Sequence, residues 1–291
     1  MMRWGPAVLF VSASHSRAIA KAPSIDADGL IYDLEDAVAP AAKVEAREAL
    51  REALDPVRGH ARPSVSFAVR VNGLGTPHFA EDMLAARAVV PDAIVLPKVE
   101  RPDDVAAAEL VLDETDAPSS IALAAMIETP RGVQNAAAIA DRAGRLEALV
   151  AGTNDLVAAT GVDVSGGRGS LHPWLAALVL AARAGGIAAL DGVPNGWHDP
   201  AAVEAEAREA ARWGFDGKTL IHPAQIEPTR IGITPSEAAV AEARAIAEAF
   251  KGVDEAVGIV TLEGRMFERL HLEAARRTLA RVRSTKEDET R

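Results

Sequence analysis

The chain has 291 residues, and its 31 Lys and Arg against 42 Asp and Glu give a formal net charge of −11. This acidic balance argues against a general nucleic-acid binder, whose affinity rests on Lys and Arg at the phosphate backbone. The absence of cysteine excludes disulfides, thiolate nucleophiles and Cys-ligated metal centres, while 49% hydrophobic residues suffice for a large core.

Eight short runs that are mostly apolar on both alternations recur down the chain, as is typical of strands buried on both faces. They are Ala7–Val11, Gly29–Glu35, Ser66–Asn72, Ala93–Val99, Ile121–Thr129, Ala148–Asn154, Ile187–Val193 and Lys218–Pro223. Helical patterns that open on proline separate most of these runs. They are Pro40–Leu54, Pro77–Val90, Pro102–Leu112, Pro130–Ala143 and Pro200–Trp213, the last with Asp199 as its N-cap. The alternation predicts an α/β fold, a (β/α)8 TIM barrel with an extra C-terminal helical segment.

The segment after the eighth strand predicts two more helices. One is Pro235–Phe250, and the other runs from about Met266 to Val282 ahead of a charged tail. We expect a catalytic barrel at residues 1–251 and a C-terminal helical extension at residues 252–291.

No part of the chain has the pattern of a signal peptide or of a membrane span. A cytoplasmic location is therefore expected. The glycine-rich loop Gly161–Pro173 follows the sixth strand and is expected to border the mouth of the barrel.

Polar residues stand at the ends of the predicted strands, where the active sites of TIM barrels lie. They are Asp33, Glu35 and Asp36; Arg70 and Asn72; Lys98 and Glu100; Glu128; Asn154 and Asp155; Asp191; and His222. Carboxylates crowded into one mouth repel each other unless a cation compensates their charge. Arg70 can compensate part of this negative charge. A hard divalent cation is the natural candidate to compensate the rest.

Glu128 and Asp155 follow neighbouring strands and suit a Mg²⁺ site that leaves positions open for substrate oxygens. The alternative for each acid is a structural role, as a helix cap or as a partner of Lys98 or Arg70. For the two acids together we favour metal binding.

Three other residues have two interpretations each. Lys98 is either a Schiff-base nucleophile or the partner of a nearby acid. His222 is either a base or, as we favour, a residue that holds its loop by hydrogen bonds. Arg168 either meets an anionic substrate or, as we favour, is a solvated loop arginine.

The motifs at these positions resemble the citrate lyase β-subunit-like branch of the HpcH/HpaI aldolase superfamily. The resemblance runs from about Arg3 to Arg283 and rests on linked motifs in the correct order. They are Val8–Val11, Asp33–Val38, Arg70–Asn72, Leu96–Glu100, Ile127–Thr129, Gly152–Leu156, Gly214–Lys218 and Ile221–Ile226.

The resemblance implies a Mg²⁺-dependent carbon–carbon lyase acting on a β-hydroxyacyl thioester, usually of coenzyme A. The metal carboxylates of the family map onto Glu128 and Asp155, and its substrate arginine maps onto Arg70. The acidic cluster around the metal waters and that arginine is Asp33, Glu35 and Asp36. The cations expected to contact coenzyme A are Arg17, Lys21 and Lys98, although the first two also suit exposed helix positions.

The resemblance also implies a homotrimer or hexamer in which the C-terminal segment of one subunit supplies an acid/base carboxylate to a neighbour. That carboxylate is Glu268 here, with glutamate in place of the usual aspartate and without the usual following proline. The first-strand loop Ser12-Ala13-Ser14 departs as well, where relatives often have Pro-Gly.

Three hypotheses besides a stand-alone CoA-ester lyase stay open at this point. They are a citrate lyase β subunit acting on an acyl-carrier-protein thioester, a non-catalytic homologue that binds a CoA ester, and a lysine aldolase. The sequence does not decide which keto acid is released, or between cleavage, condensation and thioester hydrolysis.

Overall fold

The computed structural model describes residues 4–55, 63–142, 144–254 and 258–288. The chain divides into two compact units, Met1–Gly232 and Ile233–Arg291. None of the helices in the described ranges is long and apolar enough to cross a membrane.

The first unit is a closed barrel of eight parallel strands in chain order, with β1 paired to both β2 and β8. The strands are β1 Ala7–Ser12, β2 Gly29–Asp33, β3 Ser66–Arg70, β4 Ala93–Leu96, β5 Ala122–Ile127, β6 Leu146–Ala151, β7 Ala188–Asp191 and β8 Gly217–Leu220. The helices are α1 Ser16–Lys21, α2 Lys43–Leu54, α3 Phe79–Ala88, α4 Pro102–Glu114, α5 Pro130–Ala140, α6 Thr153–Thr160, α7 His172–Ala184, α8 Pro200–Trp213 and α9 Ile226–Ile233. The predicted TIM barrel is confirmed.

Small and branched apolar side chains fill the interior of the barrel. The buried cluster includes Val8, Ile31, Val95, Val150 and Leu190, among several alanines. Layers of such side chains make a barrel a packed core rather than a pore, so a ligand can reach only its mouth. A functional site is therefore expected at the carboxyl ends of the strands.

The second unit contains helix α10 (Glu237–Ala249), strands β9 (Ile259–Leu262) and β10 (Arg265–Glu268), and helix α11 (Arg269–Asp288). Strands β9 and β10 form an antiparallel hairpin whose turn residues Glu263 and Gly264 have φ of 51° and 76°. Two consecutive positive φ values are those of a type I′ turn, which matches the twist of a hairpin.

The second unit corrects two details of the sequence analysis. The extension expected to be helical contains strand β9, and Met266 lies in β10 rather than at the start of the last helix. Apolar residues of both helices and of the hairpin form the core of this unit, with Phe250, Phe267 and Leu272 among them. Ala143, the predicted end of the helix that begins at Pro130, lies outside the described residues.

Candidate active site

Arg70 and Asp33 form the centre of the mouth, at the ends of the paired strands β3 and β2. Arg70 donates from Nε to Asp33 Oδ1 and from Nη2 to Asp33 Oδ2, both at 2.7 Å. Two parallel bonds between a guanidinium and a carboxylate fix the plane of the arginine as well as its charge. The Asp33 carboxylate also accepts the backbone N–H groups of Glu35 and Ala37, so the loop after β2 is built around it.

The remaining nitrogen of Arg70 faces two further acids. Its Nη1 lies 3.1 Å from Glu35 Oε2 and 3.4 Å from Asp36 Oδ2. The guanidinium also lies over the ring of Phe10, 4.8 Å from its centroid. Burial would lower the pKa of Arg70, but the hydrogen bonds and charge of Asp33, with the two other acids, raise it above its ordinary value. Arg70 is a fixed, permanently charged cation.

Glu35 connects Arg70 to Lys98, whose Nζ donates to Glu35 Oε1 at 2.6 Å. Burial raises the pKa of Glu35 above its usual value, and the charges of both cations oppose that effect. The bond to Glu35 and the nearby carboxylates raise the pKa of Lys98, although its partial burial acts in the opposite direction. Lys98 is therefore an ammonium paired with an acid.

Lys98 also has a left-handed backbone, with φ of 53°. This conformation costs a residue with a Cβ about 1–2 kcal/mol. Just after strand β4, the Lys98 N–H donates to Glu128 Oε1 at 2.8 Å. The strain is thus associated with a bond from the main chain to the predicted metal ligand, and strained backbone of this kind often occurs at functional sites.

Glu128 directly follows strand β5 and is only 2% exposed. It packs against Gly152, which precedes helix α6: a Cβ on Gly152 would lie 2.3 Å from Glu128 Cβ and 2.5 Å from its Oε2. Asp155 is in the first turn of that helix, and its charge acts on Glu128. Strands β5 and β6 are paired neighbours, so the two acids follow adjacent strand ends on the same side of the mouth.

The electrostatics of Glu128 provide a test of whether these residues fit a metal ion. Burial, together with the charges of Glu35 and Asp155, raises the pKa of Glu128 to about 8. A carboxylate is stable in such a place at neutral pH only when a cation compensates it. The donors are carboxylate oxygens, which Mg²⁺ prefers, so the residues fit magnesium.

Within the described part of the chain, no group of three or more His, Cys, Asp or Glu side chains is arranged to hold a metal. Mg²⁺ commonly binds through one or two protein carboxylates, with water and substrate oxygens as the other ligands. The pair Glu128 and Asp155 corresponds to that pattern.

Other strand-end residues have structural roles. Asn72 donates to the carbonyl of Leu34 and to the fully buried Asp82. Asn154 exchanges amide hydrogen bonds with Asn195 at 3.0 and 2.9 Å.

His222 and Glu100 also bind neighbouring parts of the chain. The His222 Nδ1 accepts the N–H of Ala224, as expected for a residue that holds its loop. Glu100 Oε2 lies 3.9 Å from Arg131 Nε.

Arg168 is not solvated, in contrast to the interpretation that the sequence favoured. Its two terminal nitrogens donate to the two carboxylate oxygens of Asp191 at 2.7 and 2.8 Å. Lys218, which like Asp191 is fully buried, donates to Asp191 Oδ2 at 2.7 Å. This network was not predicted from the sequence, because Arg168 stands among glycines and serines, which are typical of an exposed loop.

Arg17 borders a groove of about 700 Å³ between the β1–α1 loop and helix α2, which is also lined by Ser14, Glu45, Glu48 and Glu52. Arg17 and Lys21 are both exposed on α1. Glu268, at the end of β10 in the second unit, is exposed as well, and its backbone N–H donates to His271 Nδ1 at 2.9 Å.

Comparison with known proteins gives concordant matches over most of the chain. A sequence model of the family described as HpcH/HpaI aldolase/citrate lyase matches residues 6–223. A (3S)-malyl-CoA thioesterase of Cereibacter sphaeroides is 39% identical over 277 residues, which cover 94% of this chain and 93% of that protein. The L-malyl-CoA/beta-methylmalyl-CoA lyase of Rhodobacter capsulatus is 33% identical over 285 residues, covering 89% of each chain.

A solved structure is similar over almost the whole chain. It is protein CitE from Mycobacterium tuberculosis in complex with magnesium, acetoacetate and coenzyme A, with a TM-score of 0.77 and 35% sequence identity. The match covers 95% of this chain and 97% of that one.

Proposed function

Because this chain belongs to the HpcH/HpaI aldolase/citrate lyase family, we propose that it is a magnesium-dependent carbon–carbon lyase. Its substrate is a β-hydroxyacyl-CoA thioester of the malyl- or citramalyl-CoA type, which it cleaves to acetyl-CoA and a 2-keto acid, or forms in reverse. The observation that supports this proposal is the burial of Glu128 within reach of the charges of both Asp155 and the fixed cation Arg70.

Cleavage breaks the bond between the hydroxyl carbon and the α-carbon of the thioester. The hydroxyl group loses its proton, and the thioester fragment leaves as an enolate that must gain a proton on carbon. Glu128 and Asp155 would hold Mg²⁺, which would supply a Lewis acid for the oxygens of the keto-acid portion.

Arg70 stabilises the negative charge that develops on the substrate, because Asp33 already holds its guanidinium in place. Glu35 and Asp36 complete the acidic surroundings of that arginine. Lys98 holds Glu35 through its side chain and Glu128 through its backbone. Glu268 of a neighbouring subunit delivers the proton to the enolate carbon, a role that the resemblance implies.

The decisive experiment incubates the purified protein and Mg²⁺ with malyl-CoA, citramalyl-CoA and 3-hydroxy-3-methylglutaryl-CoA. We expect a 2-keto acid and acetyl-CoA from one of the first two, and loss of activity with EDTA. Glu128→Gln should abolish the activity while leaving the circular dichroism spectrum unchanged. Folded wild-type protein that turns over none of the three esters would refute the proposal.

Thioester hydrolysis is a second candidate function, because the 39% identical relative is a malyl-CoA thioesterase. Hydrolysis uses the same mouth and needs no further residue type. The products separate the two activities: hydrolysis of malyl-CoA gives free malate and CoA, whereas cleavage gives glyoxylate and acetyl-CoA. Replacing Glu268 by Gln or Asp then tests whether protonation of carbon is part of the reaction.

A lysine aldolase, a citrate lyase β subunit and a non-catalytic homologue have less support. A lysine aldolase needs a neutral amine, but the pairing of Lys98 with Glu35 favours its charged form. A citrate lyase β subunit would cleave citryl-acyl-carrier-protein but not free CoA esters. A non-catalytic homologue would bind a CoA ester without turnover.

Three further features belong to the proposal. Arg17 and Lys21, two exposed cations of α1, contact a phosphate group of coenzyme A, a role that the resemblance implies. The protein works as a homotrimer or hexamer in which residues 252–291 cover the active site of a neighbouring subunit. It acts in the cytoplasm, a location compatible with the absence of cysteine.

A further inference from the structure

The ion-pair network around Arg168 binds the two ends of a short helix that carries a metal ligand. Besides Asp191, Arg168 contacts Glu206 of α8, with Nη1 at 2.8 Å from Glu206 Oε1. Lys218 is bound to the same two acids, at 2.7 Å from each. The network therefore connects the loop after α6 with strands β7 and β8 and with helix α8.

Helix α6 has little packing of its own. It has eight residues, of which Thr153 and Leu156 are buried. Helices of this length are not stable by themselves, so their position depends on tertiary contacts. Asp155 lies in the first turn of this helix, and its position depends on what fixes the helix ends.

The amino end of α6 rests on the residue after Asp191. The Gly192 N–H donates to Asp191 Oδ1 at 2.9 Å. A Cβ on Gly192 would lie 2.5 Å from Thr153 Oγ1 and 2.9 Å from the carbonyl oxygen of Ala151. The main chain at Gly192 is thus in direct contact with the first residue of α6.

The carboxyl end of α6 leads into the loop that Arg168 anchors. The helix ends at Gly161, whose φ is 67°. The following loop closes on itself through the Ser170 hydroxyl, which donates to the carbonyl of Asp163 at 3.0 Å. Its residues 163–167 are exposed, whereas the Arg168 side chain is 14% exposed and bound to Asp191. Arg168 is therefore the anchor of this loop.

We infer that Arg168, through Asp191, is a positioning residue for the metal site: it holds α6 at both ends and so keeps Asp155 beside Glu128. This inference rests on the proposed function, in which those two acids bind Mg²⁺. Loss of groups that orient metal ligands typically reduces metal affinity about 10–100-fold. Lys218 still compensates Asp191 when Arg168 is replaced, so a folded variant is expected.

The test compares Arg168→Met with Arg183→Met. Arg183 is a matched control because this arginine of α7 also binds an acid next to β8, Asp216 at 2.8 Å. That acid precedes β8, at the opposite end of the barrel from the mouth. Calorimetry with Mg²⁺ alone measures affinity, and hydrogen–deuterium exchange of residues 153–160 in metal-free protein measures the stability of α6.

For Arg168→Met we expect a Mg²⁺ dissociation constant raised about 10–100-fold and faster exchange in α6. In steady-state kinetics with the cleaved ester, the apparent KM for the ester should rise at limiting Mg²⁺ and return to the wild-type value at saturating Mg²⁺. Arg183→Met should match the wild type in Mg²⁺ affinity and in exchange of α6. Gly192→Ala presses a methyl group against Thr153 without removing the ion pair. It should therefore reproduce the raised Mg²⁺ dissociation constant and the faster exchange of α6.

Wild-type Mg²⁺ affinity and unchanged exchange of α6 in folded Arg168→Met would overturn the inference. If Arg168→Met does not fold, the same two results for Gly192→Ala would overturn it. Failure of the proposed function is distinguishable, because wild-type protein would then show no Mg²⁺ binding that Glu128→Gln removes.

Discussion

Gly152→Ala tests the geometry of the site with the smallest change that the chain allows. Gly152 has φ of −100° and ψ of 76°, so alanine meets no left-handed strain there. Its methyl carbon would lie 2.3 Å from Glu128 Cβ and 2.5 Å from Oε2, whereas ordinary contact begins at 3.4 Å. Glu128 must therefore retreat by about 1 Å, a misplacement that costs about 100-fold in rate, or about 2.7 kcal/mol.

The assay measures kcat for the cleaved ester at saturating Mg²⁺ and, by calorimetry, the affinity for Mg²⁺. Gly166→Ala is the control, because a Cβ at that position has no heavy atom within 4 Å. Circular dichroism establishes that both variants fold. A folded Gly152→Ala enzyme with the rate and Mg²⁺ affinity of Gly166→Ala would refute the placement of Glu128 at the reacting centre.

Four further predictions concern the charged groups of the mouth. Arg70→Lys loses the two-point bond to Asp33 and should lower kcat about 100- to 1,000-fold with an unchanged circular dichroism spectrum; a wild-type kcat would contradict the role of Arg70. Because the pKa of Glu128 is about 8 without metal, its carboxyl group is protonated at lower pH and Mg²⁺ binding must release that proton. Calorimetry in buffers of different ionisation enthalpy should detect the proton and an affinity that rises towards pH 8, whereas a pH-independent affinity would contradict the assignment. The same raised pKa makes the metal-free fold less stable as pH increases from 4.5 to about 8, so metal-free Glu128→Gln should melt at a higher temperature than the wild type at the upper end of that range. Lys98→Gly and Lys98→Ala both lose the bond to Glu35, but only glycine relieves the left-handed backbone; urea unfolding should show Lys98→Gly to be more stable by about 1 kcal/mol, and greater stability of Lys98→Ala would contradict the strain.

Much of the fold and the pairing of the acids could be predicted from local sequence. A strand buried on both faces has a continuous apolar run, and the eight such runs identify the barrel because helical patterns alternate with them. Once the strands are placed, Glu128 and Asp155 are expected at adjacent positions, since they follow strands that are neighbours in the sheet. The expected activity came from the resemblance of the motifs to a known family, because the periodicity of a sequence indicates its fold and not its chemistry.

The residues that the sequence did not reveal act through distant contacts. Arg168 is bound to Asp191, 23 residues away, and nothing next to Arg168 in the chain indicates that partner. The left-handed φ of Lys98 occurs together with the bond of its amide to Glu128, 30 residues away. A glycine directly after a strand is a signal that the sequence does contain at Gly152. The reason for the glycine is visible only in the structure, where Glu128 occupies the space that a Cβ would fill.

The pairing of Arg70 with Asp33 has a consequence for the order in which ligands arrive. Each of these charges largely cancels the other before any ligand is present. Among the neighbouring described groups, Lys98 is a cation, while Glu35, Asp36, Glu128 and Asp155 are acids. The excess negative charge of these groups therefore repels an anionic ester and attracts a divalent cation, and the ester is attracted only once that cation is bound. Binding kinetics should accordingly follow a compulsory sequence, with the metal ion first and the thioester second.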